Sequence, residues 1–187
     1  MKKLMVAALV AVAAACANAA SIKWSCTGVG NTGTIYNGTA EKLTTVAGVY
    51  TAYLFDTATL SQADVLTALR SGSDIASLTS IGTAGVNASS KIAATMTTYG
   101  ESNVAYNFYM AIVNDDKVYL SQIVNATALA VGDTTVSFAA RTNTASKNNF
   151  GMGDYSAAGW YQTVPEPTSG LLLLLGMAGL ALKRKQV

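Results

Sequence analysis

The chain has 187 residues, with 12 Lys and Arg against 10 Asp and Glu, no histidine and a formal net charge of +2. The lack of histidine removes histidine-based triads, histidine metal sites and the commonest general base. Residues 20–164 keep 7 basic side chains (Lys23, Lys42, Arg70, Lys91, Lys117, Arg141, Lys147) and 9 acidic ones (Glu41, Asp56, Asp64, Asp74, Glu101, Asp115, Asp116, Asp133, Asp154), a net −2, so the basic surplus lies at the ends and nothing argues for a nucleic-acid partner.

The N-terminus reads as a signal peptide, residues 1–19. Met1-Lys2-Lys3 is a short basic region, Leu4 to Ala15 is apolar, and Ala17-Asn18-Ala19 is the small-x-small pattern that signal peptidase accepts. Cleavage is expected after Ala19, with Ala17 and Ala19 as the recognised residues. A lipid-modified Cys16 is the alternative, but Ala13-Ala14-Ala15 lacks the leucine expected three positions upstream.

Cleavage leaves a body of about 145 residues before the C-terminal tail, 20–163, enough for one domain with its own core. Of the chain's 2 cysteines only Cys26 remains in it, so an exported body must hold together by packing alone. Cys26 lies in the alternating run Ile22-Lys23-Trp24-Ser25-Cys26 and reads as a small buried residue.

Thr, Ser, Gly, Asn and Ala dominate the body, proline is absent from it, and turn residues recur at short intervals. That composition favours short strands on polar turns. Strands are expected at 21–27, 34–37, 47–55, 91–99, 103–113, 117–124, 134–141 and 159–163. The fold class is therefore mainly β, an antiparallel β-sandwich-like domain with one short helix.

The helix is expected over Gln62–Arg70. Ser61 stands three residues before Asp64, a variant of the capping box, and Gly72 follows the last turn as a C-cap. Val65, Ala68 and Leu69 share a face that should dock on a sheet, and residues 74–81 form a further helical turn. The clearest hairpin follows. Tyr106, Phe108, Met110 and Ile112 fall on one face by period two, and Asn107, Tyr109, Ala111 and Val113 on the other. Asn114-Asp115-Asp116 makes the turn, and Val118 to Val124 returns. Bulk on both faces predicts that the first strand is central. Residues 83–90 and 142–149 read as loops.

Candidate chemistry in the body is sparse. Asp115-Asp116 are adjacent in a turn, where solvation explains them better than a catalytic pair. Asn114, Asp115 and Asp116 are hard oxygen donors, yet the spaced Asp-x-Asp-x-Asp-Gly calcium loop is missing, so no metal and no cofactor are expected. Trp24, Trp160, Tyr161 and the tyrosines between Tyr106 and Tyr119 could stack on sugar. At alternating strand positions such residues also serve as half-buried sheet side chains.

The C-terminal tail, 164–187, carries the strongest pattern. Its Pro165 and Pro167 are the only 2 prolines of the chain, they flank Glu166, and they hold a short extended segment. Ser169 to Leu182 is uncharged, with Leu171, Leu172, Leu173, Leu174, Leu175, Leu180 and Leu182 as its apolar mass. This run, about 169–182, is shorter than the roughly 20 residues of a full span. Lys183, Arg184 and Lys185 lengthen it by snorkelling and favour a cytoplasmic C-terminus. The run is expected to be a transmembrane helix and the basic cluster its stop-transfer signal.

Pro-Glu-Pro, apolar helix and basic end, in that order, resemble the PEP-CTERM sorting domain of Gram-negative bacteria. The resemblance implies an exosortase, a membrane-embedded cysteine transpeptidase, as partner. Pro165, Glu166 and Pro167 would be its recognition and processing motif, with Leu171–Leu182 as a temporary membrane anchor. With signal peptidase and the inner membrane as further partners, the chain would be exported through the inner membrane, transiently anchored, and then left at the cell surface or outside. The body is expected to be a non-enzymatic structural or interaction protein of the cell surface or extracellular matrix. A carbohydrate-binding module, with exopolysaccharide as partner, and a carboxylate-only hydrolase are the alternatives.

Overall fold

A computed structural model describes residues 19–28, 34–36, 42–43, 50–114, 116–140 and 155–163. The first described segment is β1 (Ala19–Gly28), whose period-two pattern buries Ile22, Trp24 and Cys26 and exposes Lys23 and Thr27. It pairs antiparallel with β4 (Ile92–Glu101) and parallel with β8 (Asp133–Ala140), giving a three-stranded sheet in the order β4-β1-β8. The β1–β8 pair is the one parallel pairing among the described strands, all the others being antiparallel. A parallel partner needs a long crossover, and here most of the body lies between the two strands.

The second sheet has six strands. Its main path is β3 (Gly82–Gly85), β2 (Thr51–Asp56), β5 (Ala105–Asn114), β6 (Lys117–Leu120) and β9 (Gly159–Gln162), and β7 (Val124–Thr127) also pairs with β5. β5 is central, as its two bulky faces predict. Phe108, Met110 and Ile112 join Ile22, Trp24, Val136 and Phe138 of the other sheet in one buried cluster, which makes the two sheets a sandwich. Tyr109 and Ala111, on the opposite face, pack with Phe55, Val118, Leu120 and Tyr161 in a second cluster.

Helix α1 (Gln62–Arg70) covers that second face with Val65, Leu66 and Leu69. Its capping box is present: Ser61 Oγ accepts from the Asp64 amide, and the Asp64 carboxylate accepts from the Ser61 amide. The hydrogen bonds from Ser61 hold the Asp64 carboxyl below its ordinary range. Gly72, at φ +91°, ends the helix in the left-handed region. Buried Gln62 bonds the Ser121 carbonyl and the Tyr155 hydroxyl, both at 3.0 Å, which fixes the helix on the sheet through polar as well as apolar contacts. The expected turn after the helix is a single 3-10 turn, Ile75–Ser77.

Several boundaries differ from expectation. The strand expected at 34–37 is not formed over its described part, where Tyr36 makes only an isolated bridge with Lys42. The strand expected at 47–55 begins at Thr51, with 47–49 outside the described residues. The return strand 117–124 is broken in two. Between the β6 and β7 pairings, Tyr109 and Met110 of β5 face three residues, Ser121 to Ile123. The Ser121 hydroxyl replaces a backbone acceptor there by taking the Met110 amide at 2.8 Å. This is bulge geometry, one extra residue on one strand. Finally, 82–85 is a strand where a loop was expected from residue 83. Gly-Thr-Ala-Gly has no periodicity to reveal it, and its pairing with β2 alone makes it a strand. The loop expected at 142–149 lies outside the described residues.

Cys26 is fully buried among β1 and β8 side chains, and burial pushes its thiol from an ordinary 9.0 up to about 12. We expect it to resist alkylation in the native protein at neutral pH and to react fully in denaturant, as mass spectrometry of the adduct would read. The same shift has a sign for stability. The folded thiol keeps its proton where the unfolded one has lost it, so its contribution is intact below pH 9 and declines as pH rises toward 12.

Candidate functional site

The tail predicted to carry the sorting signal joins the body through β9. This strand pairs antiparallel with β6, from Leu120 opposite Gly159 to Lys117 opposite Gln162. Its alternation sends Trp160 into the sandwich core and Tyr161 to the helix-covered face. Trp160 is fully buried, its Nε1 donates to the Tyr36 carbonyl at 3.0 Å, and its ring lies 5.6 Å from that of Tyr119. Tyr161 donates through its hydroxyl to the Ala157 carbonyl and receives the Ala157 amide, closing the turn that leads into the strand.

Two contacts hold the end of β9. The Arg70 guanidinium, in the last turn of α1, donates through Nε to the Gln162 carbonyl at 3.1 Å. One residue on, Thr163 donates twice to the Asp116 carbonyl, through its amide at 2.7 Å and its hydroxyl at 2.8 Å. Thr163 is only 7 % exposed. Asp116 and Lys117 close the β5–β6 hairpin, and their side chains form an ion pair at 3.8 Å. A half-exposed pair of that length contributes little; the backbone carbonyl of Asp116 is what binds the chain end.

Gln162 is a strand residue and Thr163 is fastened to the hairpin, and residues 164–168 lie outside the described residues. Sequence reasoning missed Arg70, Asp116 and Thr163 as a junction. The contacts link positions 47 and 92 residues apart, and no local pattern encodes them.

Of the predicted site residues, Ala19 is the first residue of β1, opposite Glu101, so cleavage after it leaves β1 nearly whole. Ala17, Pro165, Glu166, Pro167, the leucines Leu171–Leu175, Leu180 and Leu182, and Lys183, Arg184 and Lys185 lie outside the described residues. No helix of the described residues is long and apolar enough to cross a membrane, and the predicted span falls beyond them. The aromatic platform is not formed: Trp24, Tyr109, Tyr119, Trp160 and Tyr161 are all buried, and Tyr106 packs against Tyr99 and Phe108 at 5.4 and 5.9 Å. Asp56, 3 % exposed, accepts from the Tyr99 hydroxyl at 2.9 Å and the Ala58 amide at 3.1 Å, which makes it the brace of the turn after β2. No group of three or more His, Cys, Asp or Glu that could hold a metal stands together among the described residues.

Residues 163–185 match the family model of the PEP-CTERM protein-sorting motif. Such a motif marks an exported protein that is anchored in the membrane and sorted by an exosortase. No curated protein and no solved structure matches the chain.

Proposed function

We propose, for a chain that carries a PEP-CTERM sorting motif at 163–185 behind a β-sandwich body, that it is a structural or interaction protein of the cell surface or extracellular matrix. In this reading the tail is a temporary anchor. Export through the N-terminal signal puts the body outside the inner membrane, and Lys183–Lys185 stop transfer with the C-terminus inside. Burying one leucine side chain contributes about 1.5–3 kcal/mol, so Leu171–Leu175, Leu180 and Leu182 suffice to hold the chain in the bilayer. Pro165-Glu166-Pro167 then stands at the outer interface, extended by its prolines and open to a membrane-embedded active site.

The observation that carries this reading is the match of residues 163–185 to the sorting motif, which follows directly on β9, the last described strand of the body. The reading gives the body no catalytic role, in keeping with a chain that contains no histidine.

The test is mass spectrometry of the mature protein from wild-type cells and from cells lacking the exosortase. Removal of the tail at or near Pro165-Glu166-Pro167 is expected only in the wild type. Replacing the three residues by alanine should leave export intact and trap an unprocessed, membrane-bound form. An intact C-terminus through Val187 in both strains would make the tail a plain anchor.

A further inference from the structure

The junction fixes how close the sorting enzyme must come to the folded body. β9 is docked through two buried aromatic side chains, Trp160 and Tyr161, and its end is fastened by Arg70 to Gln162 and by the Asp116 carbonyl to Thr163. From Thr163 to Glu166 the chain spans three residues, at most about 11 Å even when fully extended. An enzyme that grips Glu166 cannot stay farther than that from the β5–β6 turn.

We propose that the pole of the sandwich formed by the β5–β6 turn, with Asp116, Lys117 and Thr163 at its centre, is the docking face for the membrane-embedded sorting transpeptidase. This inference rests on the sorting reading above. It adds that recognition extends beyond the tail: the enzyme meets the tail and a fixed patch of the body together. The opposite pole is excluded by geometry. At the other end of β5, Val104 and Ala128 are bonded across the start of the strand at 2.8 Å, and the connection to β8 carries Val131, 89 % exposed. The strand between the poles has ten residues, about 33 Å of rise.

The experiment places a photoreactive phenylalanine analogue at Asp116, or at Val131 as control, in the full chain expressed with its exosortase. Thr163 is held by the backbone carbonyl of Asp116, so replacing that side chain leaves the junction in place. Irradiation should yield an adduct with the enzyme from position 116 and none from 131. Inserting about ten Gly and Ser residues between Thr163 and Val164, a coil of roughly 17 Å, should remove the adduct because contact is no longer imposed. No adduct at 116 while the tail is still removed, or equal adducts at both positions, would overturn the docking face and leave the sorting reading standing. That outcome would mean that β9 peels off before processing or that the enzyme approaches from elsewhere. A tail that is never removed in wild-type cells would overturn the sorting reading and this inference with it.

Discussion

Replacing Trp160 by alanine is expected to destabilise the body by about 3–5 kcal/mol, the range for deleting a large aromatic side chain from a core. The position meets the conditions for the upper part of that range. Trp160 is fully buried in the layer between the sheets, touches Tyr119 with its ring, and donates its one polar hydrogen to the Tyr36 carbonyl. Alanine removes the apolar contact and leaves the half-buried Tyr36 carbonyl without that donor. It does so on β9, a four-residue strand at the edge of its sheet, where β6 is its one strand partner among the described residues. Since domains of this kind have a total stability of about 5–15 kcal/mol, the variant should unfold at a far lower urea midpoint with an unchanged slope. Circular dichroism would follow the transition without relying on the deleted fluorophore. A loss below about 1 kcal/mol would show that β9 is not anchored by this side chain.

Gly100→Ala is the second substitution with a large expected effect, and two independent causes act on it. Gly100 has φ +69°, where an L side chain costs about 1–2 kcal/mol. An added Cβ would also lie 2.4 Å from the Tyr106 ring and hydroxyl. Tyr106 cannot yield freely. Its hydroxyl accepts the Glu101 amide at 2.7 Å, and its ring packs on Tyr99 at 5.4 Å. Moving it forfeits a hydrogen bond worth about 0.5–1.5 kcal/mol, so the expected total is about 1.5–3.5 kcal/mol. A double-mutant cycle separates the causes. In a Tyr106→Ala background the clash is gone, and Gly100→Ala should cost only its backbone part, about 1–2 kcal/mol. Equal costs in the two backgrounds would show that the ring was never an obstacle.

Legibility in the sequence followed the range of the interaction. Helix α1 was readable to its ends because its determinants are local: a cap three residues from its partner, an apolar stripe and a terminal glycine. β5 was readable as a central strand because both its faces carry bulk, and Cys26 as buried because it alternates with Lys23 and Ser25. The Ser121 interruption, by contrast, looks like any serine in a strand until its hydroxyl is seen to take the Met110 amide. The aromatic residues looked the same whether on a surface platform or in a core, because period two does not say which face is covered. The structure covers both faces of the six-stranded sheet, one with the three-stranded sheet and one with α1, and Trp24, Tyr109, Tyr119, Trp160 and Tyr161 go inside.

By itself the sequence determined the mainly β class, the short helix and the sorting signal. Each of these is written in neighbouring residues: alternation, capping residues, and Pro-Glu-Pro before an apolar run and a basic end. Only the tertiary structure decided that β1 lies between β4 and β8 with a parallel partner, that Gly82–Gly85 is a strand, and that Thr163 is fastened to the β5–β6 hairpin. The reason is common to all three. They depend on backbone groups of residues distant in the chain meeting one another, as Thr163 meets Asp116, and a backbone carbonyl is the same at every position of the sequence.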